Sequence, residues 1–146
     1  MKKYFSCFLL VFLACSAEQE DTPKNYMQYV NPMVGTKNMG HTFPGATTPF
    51  GMVQLSPTTN IQALFKDGKY NKDTYKYCAG YQFEDSLIYG FAHTHFSGTG
   101  HSDLGDFLLM PTVGKLQLND IQSTFTHEKE KAEAGYYSVD LERYNI

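Results

Sequence analysis

The sequence is first defined by what it lacks. It has no cluster of basic residues and a net charge of −3, which gives no support to a nucleic-acid partner. No long stretch repeats its apolar residues at the helical period, and there are no internal repeats. Yet 42% of the 146 residues are hydrophobic, which is enough for a folded core. These absences favour a small, non-helical globular domain.

The N-terminus has the composition of an export signal. It reads MKKYFSCFLLVFLAC, with two lysines followed by an apolar run that is too short to span a bilayer. FLAC resembles the lipobox of bacterial lipoproteins, in which the cysteine is lipidated. We therefore expect a signal peptide at 1–14, and a lipidated Cys15 with a polar tether at 15–26. Cleavage by an ordinary signal peptidase is the alternative. Either way, we expect an exported protein, and lipidation would anchor it to a membrane at the cell surface or in the periplasm.

Cysteine is scarce, with three residues in the chain. If Cys7 is removed with the signal peptide and Cys15 is lipidated, Cys78 is the only thiol that remains. A single cysteine forms no internal disulfide, so the domain is not expected to be stapled by one. We expect Cys78 to be a buried, small apolar residue.

Short strands separated by turn residues favour an all-β fold of the sandwich type. Strands are predicted at 52–56, 79–83, 86–96, 106–118 and 136–142, with 79–83 and 86–96 forming a pair. An exposed insertion is predicted at 57–77 and a helical turn within 126–135. So few strands would leave the edges of a sandwich open. We therefore expect an incomplete β-sandwich at 27–146 that belongs to a longer chain.

A polar cluster, FAHTHFSGTGHSDLGD at 91–106, begins in the last part of the predicted strand at 86–96. Alternation along a strand places His93 and His95 on one face, with His101 beyond the turn. Three interpretations stay open: a metal held by these histidines, histidines that only bond within a sheet, and a site for a polar ligand. A dinucleotide fingerprint is excluded because Asp103 stands where its third glycine belongs, and no Walker lysine follows.

The loop TFPGATTPFG at 42–51 combines two prolines, two glycines and several threonines. Proline stiffens such a loop and glycine lets it turn, while threonine offers hydroxyl groups. Phe43 and Phe50 could support the face of a sugar ring. A buried structural loop is an equally good interpretation for any one of these side chains.

Five blocks in order resemble the N-terminal domain of glycoside hydrolase family 92, whose members are exo-acting α-mannosidases. The blocks are VNPMVGT, GHTFPGATTPFGMVQLSP, GYQFEDSLIYGFAHTHFSGTG, SDLGDFLLMPTVG and AGYYSVDL. The resemblance implies an N-terminal β-sandwich, a C-terminal (α/α)6 domain, and a Ca²⁺ ion that helps to bind mannose of N-glycans. It implies inverting hydrolysis, with the catalytic acid, the base and the calcium ligands in the C-terminal domain. No catalytic or metal-binding residue is therefore expected in this chain, and the chain alone is expected to be inactive.

The same resemblance implies that loops of the sandwich line the sugar pocket. The residues that best match this role are Thr42, Phe43, Pro44, Gly45, Ser97, Gly98, Thr99, Gly100, His101 and Asp103. Many relatives carry Trp or Cys at the position of His101, so this residue is expected to affect the α-1,2 linkage preference. Two other functions stay open: a stand-alone carbohydrate-binding lipoprotein, and a cupin-like metal enzyme that uses His93, His95 and His101.

Overall fold

The structure, a computed structural model, describes residues 24–98, 100 and 105–146. Most of its regular elements are short strands, joined by three short 3₁₀ helices. The helices are Tyr26–Tyr29, Lys72–Tyr77 and His127–Lys129. The strands are β1 (Ser56–Thr58), β2 (Phe65–Lys66), β3 (Lys69–Tyr70), β4 (Leu87–Ile88), β5 (Gly90–Ala92), β6 (Leu108–Leu109), β7 (Ser123–Thr124), β8 (Glu130–Glu133) and β9 (Tyr136–Val139). This confirms the all-β class for the described part of the chain.

One three-stranded antiparallel sheet has the order β1-β5-β6, with Ser56 opposite Ala92 and Ala92 opposite Leu108. Gly90 lets β6 approach β5 closely, because a Cβ at this position would lie 2.9 Å from Leu108 Cγ. The other strands form the antiparallel pairs β2-β3, β4-β7 and β8-β9. The β2-β3 hairpin turns at Asp67-Gly68, where both residues have the positive φ that a tight hairpin turn requires.

The core lies between the β4-β7 pair and the C-terminal turn. Its buried residues are Tyr81, Ile88, Phe125 and Leu141, and partly buried side chains such as Phe83 pack against them. This small core holds together segments from widely separated parts of the chain. None of the described helices is long and apolar enough to cross a membrane. The predicted signal peptide, Cys15 and most of the tether lie outside the described residues.

The predicted pair of strands at 79–83 and 86–96 is wrong. Residues 79–83 form no strand, and 86–96 holds two short strands that pair with other partners. β5 ends at Ala92, and soon afterwards the backbone N–H of His95 donates to the side chain of Gln54. Backbone hydrogen bonds continue one residue beyond β5, from Gln54 N–H to His93 O and from His93 N–H to Phe107 O, whereas the His95 donor bonds a side chain.

Other predicted elements are corrected in part. The strand expected at 52–56 begins only at Ser56, and 106–118 contributes only β6. The stretch 57–77 is no simple exposed insertion, because it contains β1, the β2-β3 hairpin and a 3₁₀ helix with Thr74 buried. The helical turn expected within 126–135 is confined to His127–Lys129 and is followed by β8. The strand predicted at 136–142 is confirmed over its first four residues, as β9, and does not continue to 142.

Candidate functional site

The loop that begins at Gly40 is fastened to the preceding turn. The backbone N–H of Thr42 donates to Gly35 O at 3.3 Å, and the Thr42 hydroxyl donates to Val34 O at 2.7 Å. A Cβ at Gly40 would lie 2.2 Å from Gly35 O, so glycine is required at this close approach. The hydroxyl proton of Thr42 is thus engaged within the protein. Its oxygen lone pairs keep their capacity to accept.

Pro44 and Gly45 hold the loop against the start of β1. Pro44 is fully buried. The backbone N–H of Gly45 donates to Ser56 Oγ at 3.1 Å, and a Cβ there would lie 2.1 Å from Leu55 O. Both residues therefore have a structural role. Their predicted contact with a substrate stays a prediction.

Phe43 links this loop to the chain that follows β5. Its half-buried ring packs on the imidazole of His95, with ring centroids 5.0 Å apart and planes inclined by 33°. The contact places the aromatic side chain that was predicted to support a sugar directly beside a histidine of the polar cluster.

A backbone hydrogen bond joins the two segments that were predicted to line a sugar pocket. The N–H of Gly98 donates to the carbonyl oxygen of His41 at 2.6 Å. Ser97, Gly98 and Gly100 are exposed, and a Cβ at Gly98 would meet no atom within 4 Å. The structure therefore brings the loop beginning at Thr42 and the loop Ser97–Gly100 to one place, with small residues at the surface. Thr99, His101 and Asp103 lie outside the described residues.

Cys78 connects the loop Ser97–Gly100 to the 3₁₀ helix Lys72–Tyr77. The thiol is 8% exposed, which confirms the prediction of a buried residue. Its sulfur lies 2.9 Å from Tyr75 O and 3.2 Å from Gly100 O, and its single proton serves these two acceptors.

The two histidines of the polar cluster do not share a strand face, because the strand ends before them. His93 Nδ1 lies 3.2 Å from Phe107 O. His95 Nδ1 lies 2.7 Å from Gln54 O, and burial lowers the pKa of His95. Among the residues that the structure describes, no three His, Cys, Asp or Glu side chains are arranged to hold a metal ion. His101, the third histidine of the cupin-like interpretation, is outside that set.

Sequence reasoning missed His41. This residue is 2% exposed, has a positive φ of 51°, and packs edge-on against Tyr75 with a centroid distance of 5.0 Å. Neither ring nitrogen has a hydrogen-bond partner within the described part of the chain. Its position between Gly40 and Thr42, in a loop already singled out, was a signal that could have found it.

The comparisons with known proteins agree with this geometry. The family model for the glycosyl hydrolase family 92 N-terminal domain matches residues 29–146. The chain belongs to glycoside hydrolase family 92. This confirms the resemblance that was drawn from the five sequence blocks.

Solved structures of family 92 enzymes share the fold. A family GH92 α-mannosidase from Bacteroides thetaiotaomicron, solved in complex with mannoimidazole, is 38% identical with a TM-score of 0.69. The match covers 82% of this chain and 15% of that one. A second GH92 family glycosyl hydrolase is 30% identical with a TM-score of 0.59, over 79% of this chain and 14% of its own.

A curated relative supports the same assignment. It is an uncharacterized secreted glycosidase of Arthroderma benhamiae, 32% identical in an alignment of 124 residues that covers 79% of this chain and 14% of the relative. The family 92 chain described here therefore spans about one seventh of the length of the relatives it matches. With the family established, no observation supports the cupin-like alternative.

A second buried polar cluster in this family 92 chain centres on Glu130, at the start of β8. The Glu130 side chain is 2% exposed. Tyr81 donates to its carboxylate at 2.9 Å and Tyr137 at 2.6 Å, while His127 Nδ1 lies 2.6 Å from Oε2. His127 Nε2 lies 2.6 Å from Phe83 O, and the two rings stack 3.9 Å apart. The cluster ties β8 and β9 to the core.

The electrostatics of this cluster keep its phenols protonated. Burial, and then the negative charge of Glu130, raise the pKa values of Tyr81 and Tyr137. Both hydroxyls therefore stay donors to the carboxylate. Sequence reasoning missed the cluster, and no short motif signals it, since Tyr81 and Glu130 are 49 positions apart.

Proposed function

We propose that this chain is the substrate-contacting N-terminal part of an exported, calcium-dependent exo-α-mannosidase. The enzyme hydrolyses mannose-containing N-glycans with inversion and acts in the manner of an α-1,2-mannosidase. One observation carries the proposal: the 2.6 Å bond from Gly98 N–H to His41 O, which joins both predicted sugar loops. The similarity to an α-mannosidase solved with mannoimidazole supports it.

The two joined loops are proposed to contact the terminal mannose. Exposed Ser97, Gly98 and Gly100 leave room for a sugar to approach the backbone, and Phe43 offers an apolar ring beside them. Thr42 would accept from a sugar hydroxyl, because its own proton is already donated to Val34. Pro44 and Gly45 would support this contact by holding the loop in place. Thr99, His101 and Asp103 complete the proposed set.

Polypeptide beyond this chain is proposed to complete the β-sandwich and to supply a C-terminal (α/α)6 domain. That domain would provide the catalytic acid and base, which in inverting enzymes stand about 6.5–9.5 Å apart. Calcium prefers six to eight oxygen ligands. The described residues offer no carboxylate cluster that fits it, so no residue of this chain is proposed as a calcium ligand.

Hydrolysis by an intact protein that carries this chain at its N-terminus tests the proposal. We expect release of mannose from α-mannobiose, with the β-anomer appearing first in a proton NMR time course. A chelator should abolish the activity and added Ca²⁺ should restore it. Release of a different sugar, the α-anomer as first product, or full activity in the chelator would contradict the corresponding part of the proposal.

The role of His101 in linkage preference has its own test. We expect His101→Ala to change the ratio of rates on α-1,2-, α-1,3- and α-1,4-mannobioses in the intact enzyme. Asp140→Ala is the matched control, because this exposed carboxylate lies outside the two loops. An unchanged ratio in His101→Ala would remove His101 from the specificity set and leave the mannosidase proposal standing.

Export and anchoring are proposed separately from the chemistry. Cleavage after residue 14 and lipidation of Cys15 would tether the domain at 15–26 to a membrane. The description of the fungal relative as secreted supports export. We expect Cys15→Ala to release the protein from the membrane fraction, with wild type retained there. Equal release of both proteins would favour ordinary signal-peptidase cleavage.

A further inference from the structure

A polar cavity of about 210 Å³ lies between β1, the 3₁₀ helix Lys72–Tyr77 and the chain that follows β5. Each water occupies about 30 Å³ in the liquid, so the space exceeds the volume of one bound water. Its polar lining residues include Thr58, Asn60, Gln62, Tyr77, Cys78 and His95. None of the described lining residues carries a carboxylate, an ammonium or a guanidinium group. A neutral ligand therefore suits this cavity better than an ion.

His95 presents a free acceptor in this lining. The side chain is 7% exposed, and its Nδ1 must donate to Gln54 O at 2.7 Å, because a carbonyl only accepts. Because burial disfavours the charged imidazolium, Nε2 then carries a lone pair and no proton. Nε2 has no hydrogen-bond partner among the described residues. Such a buried acceptor is costly unless an O–H or N–H group donates to it.

Glycine at position 80 leaves the surroundings of that acceptor free of a further side chain. A Cβ on Gly80 would lie 2.9 Å from His95 Nε2 and 3.6 Å from Thr58 Oγ1. Thr58 Oγ1 is also buried without a partner in the described part of the chain. Two unsatisfied polar atoms therefore belong to residues that line one cavity, on either side of a residue without a side chain.

We propose that this cavity binds a neutral polyhydroxy ligand, with one hydroxyl that donates to His95 Nε2 and lies within reach of Thr58. The cavity borders the loop Ser97–Gly100, because the Cys78 thiol in its lining lies 3.2 Å from Gly100 O. The choice of mannose as the first ligand rests on the proposed function. A sugar hydroxyl and an ordered water share the same O–H chemistry, so the test separates them.

The direct test is a titration followed by ¹⁵N NMR of the histidine side chains of the chain. Mannose, glucose, galactose and glycerol are added in parallel. We expect a saturable shift of the His95 Nε2 signal with mannose, while the His93 signals stay in place. Binding of another sugar in its place would support the cavity and count against the mannosidase proposal. A His95 signal unmoved by every compound would mean that water alone fills the site, and would overturn the inference.

Variants test which residues contribute to mannose affinity in this titration. Thr58→Val keeps the shape and removes the hydroxyl, so mannose affinity should fall about three- to tenfold, as for the loss of one neutral hydrogen bond. Gly80→Ala should weaken binding further, because its methyl carbon would lie 2.9 Å from His95 Nε2 and obstruct the approach of a donor. Gly68→Ala is the matched control: Gly68 has φ +73 against +78 at Gly80, with no atom within 4 Å of its Cβ. Equal affinity in Thr58→Val, Gly80→Ala and wild type would overturn the inference.

A crystal structure of the intact enzyme with mannose gives an independent readout if a variant fails to fold. We expect a sugar hydroxyl within about 3.2 Å of His95 Nε2. A water at that point, with mannose bound only elsewhere, would overturn the inference without affecting the mannosidase proposal.

Discussion

Two histidine environments in this chain differ in how many of their polar atoms have hydrogen-bond partners. Around Glu130, two tyrosine hydroxyls and His127 donate to one carboxylate, and the other ring nitrogen of His127 meets Phe83 O. Every polar atom of this cluster is used to hold the fold together.

The His95 environment is the opposite case. There, Nε2 and Thr58 Oγ1 are buried and have no partner within the described residues. Burial without a hydrogen bond costs free energy, so an arrangement of this kind suits a place that receives a ligand. The cluster around Glu130, whose polar atoms have partners, therefore has a structural role. The unpartnered atoms beside His95 are instead suited to receive a ligand.

The largest expected effect comes from breaking the satisfied cluster. Glu130→Ala leaves two buried phenols and His127 without their acceptor, and should lower the free energy of unfolding by about 3–5 kcal/mol. Urea denaturation of both proteins measures the difference. Glu133→Ala is the control, since Glu133 is exposed on the same strand and pairs only with exposed Lys131; it should cost less than about 1 kcal/mol. Equal losses of unfolding free energy in the two variants would show that the cluster does not stabilise the fold more than an exposed ion pair does.

Substitutions of two neighbouring threonines should have effects of intermediate size on stability. Thr59 Oγ1 accepts from the backbone N–H of Gln82 at 3.0 Å, whereas Thr58 Oγ1 has no described partner. Thr59→Val should therefore destabilise the fold by about 1–3 kcal/mol, and ligand-free Thr58→Val should be neutral or slightly stabilising. Thermal unfolding of the two variants compares them directly. A larger loss in Thr58→Val than in Thr59→Val would show that the Thr58 hydroxyl is satisfied.

The smallest expected effect is a pH dependence that arises from His95. Burial lowers the pKa of His95 in the folded state, whereas in the unfolded state it stays near its ordinary value of about 6.5. Below that pH the unfolded chain binds more protons, so this contribution to stability is present above about pH 6.5 and lost as the pH falls through the folded value. Denaturation midpoints between pH 5 and about pH 7.5 measure it.

A matched variant isolates the histidine from other titrating groups. In His95→Asn the amide nitrogen can still donate to Gln54 O, but no group titrates in this range. The slope of the denaturation midpoint against pH should be smaller in His95→Asn than in wild type. An unchanged slope in His95→Asn would contradict a neutral, buried His95.

The two candidate loops could be predicted from the sequence, but the length of the strand that leads into one of them could not. The alternating pattern correctly indicated β9, and glycine and threonine chemistry correctly marked two loops that the fold brings together. The alternation from residue 86 to 96 was misleading because strand length depends on the partner. β6 is only two residues long and β1 begins at Ser56, so regular pairing of β5 ends at Ala92.

The polar cluster around Glu130 could not be predicted from the sequence. Tyr81, His127, Glu130 and Tyr137 lie on separate elements, and only packing of the core brings their side chains together. No local spacing encodes such a set. The free acceptor on His95 is hidden for the same reason, because its tautomer is fixed by Gln54, 41 positions away.

The tip of the β2-β3 hairpin is a suitable place to insert a label. Asp67 and Gly68 are exposed, and a Cβ built on Gly68 touches nothing within 4 Å. Exposed loop tips of this kind tolerate inserted segments. A short epitope or a fluorescent label placed between these residues should report the location of the protein in the cell while the rest of the domain folds as before.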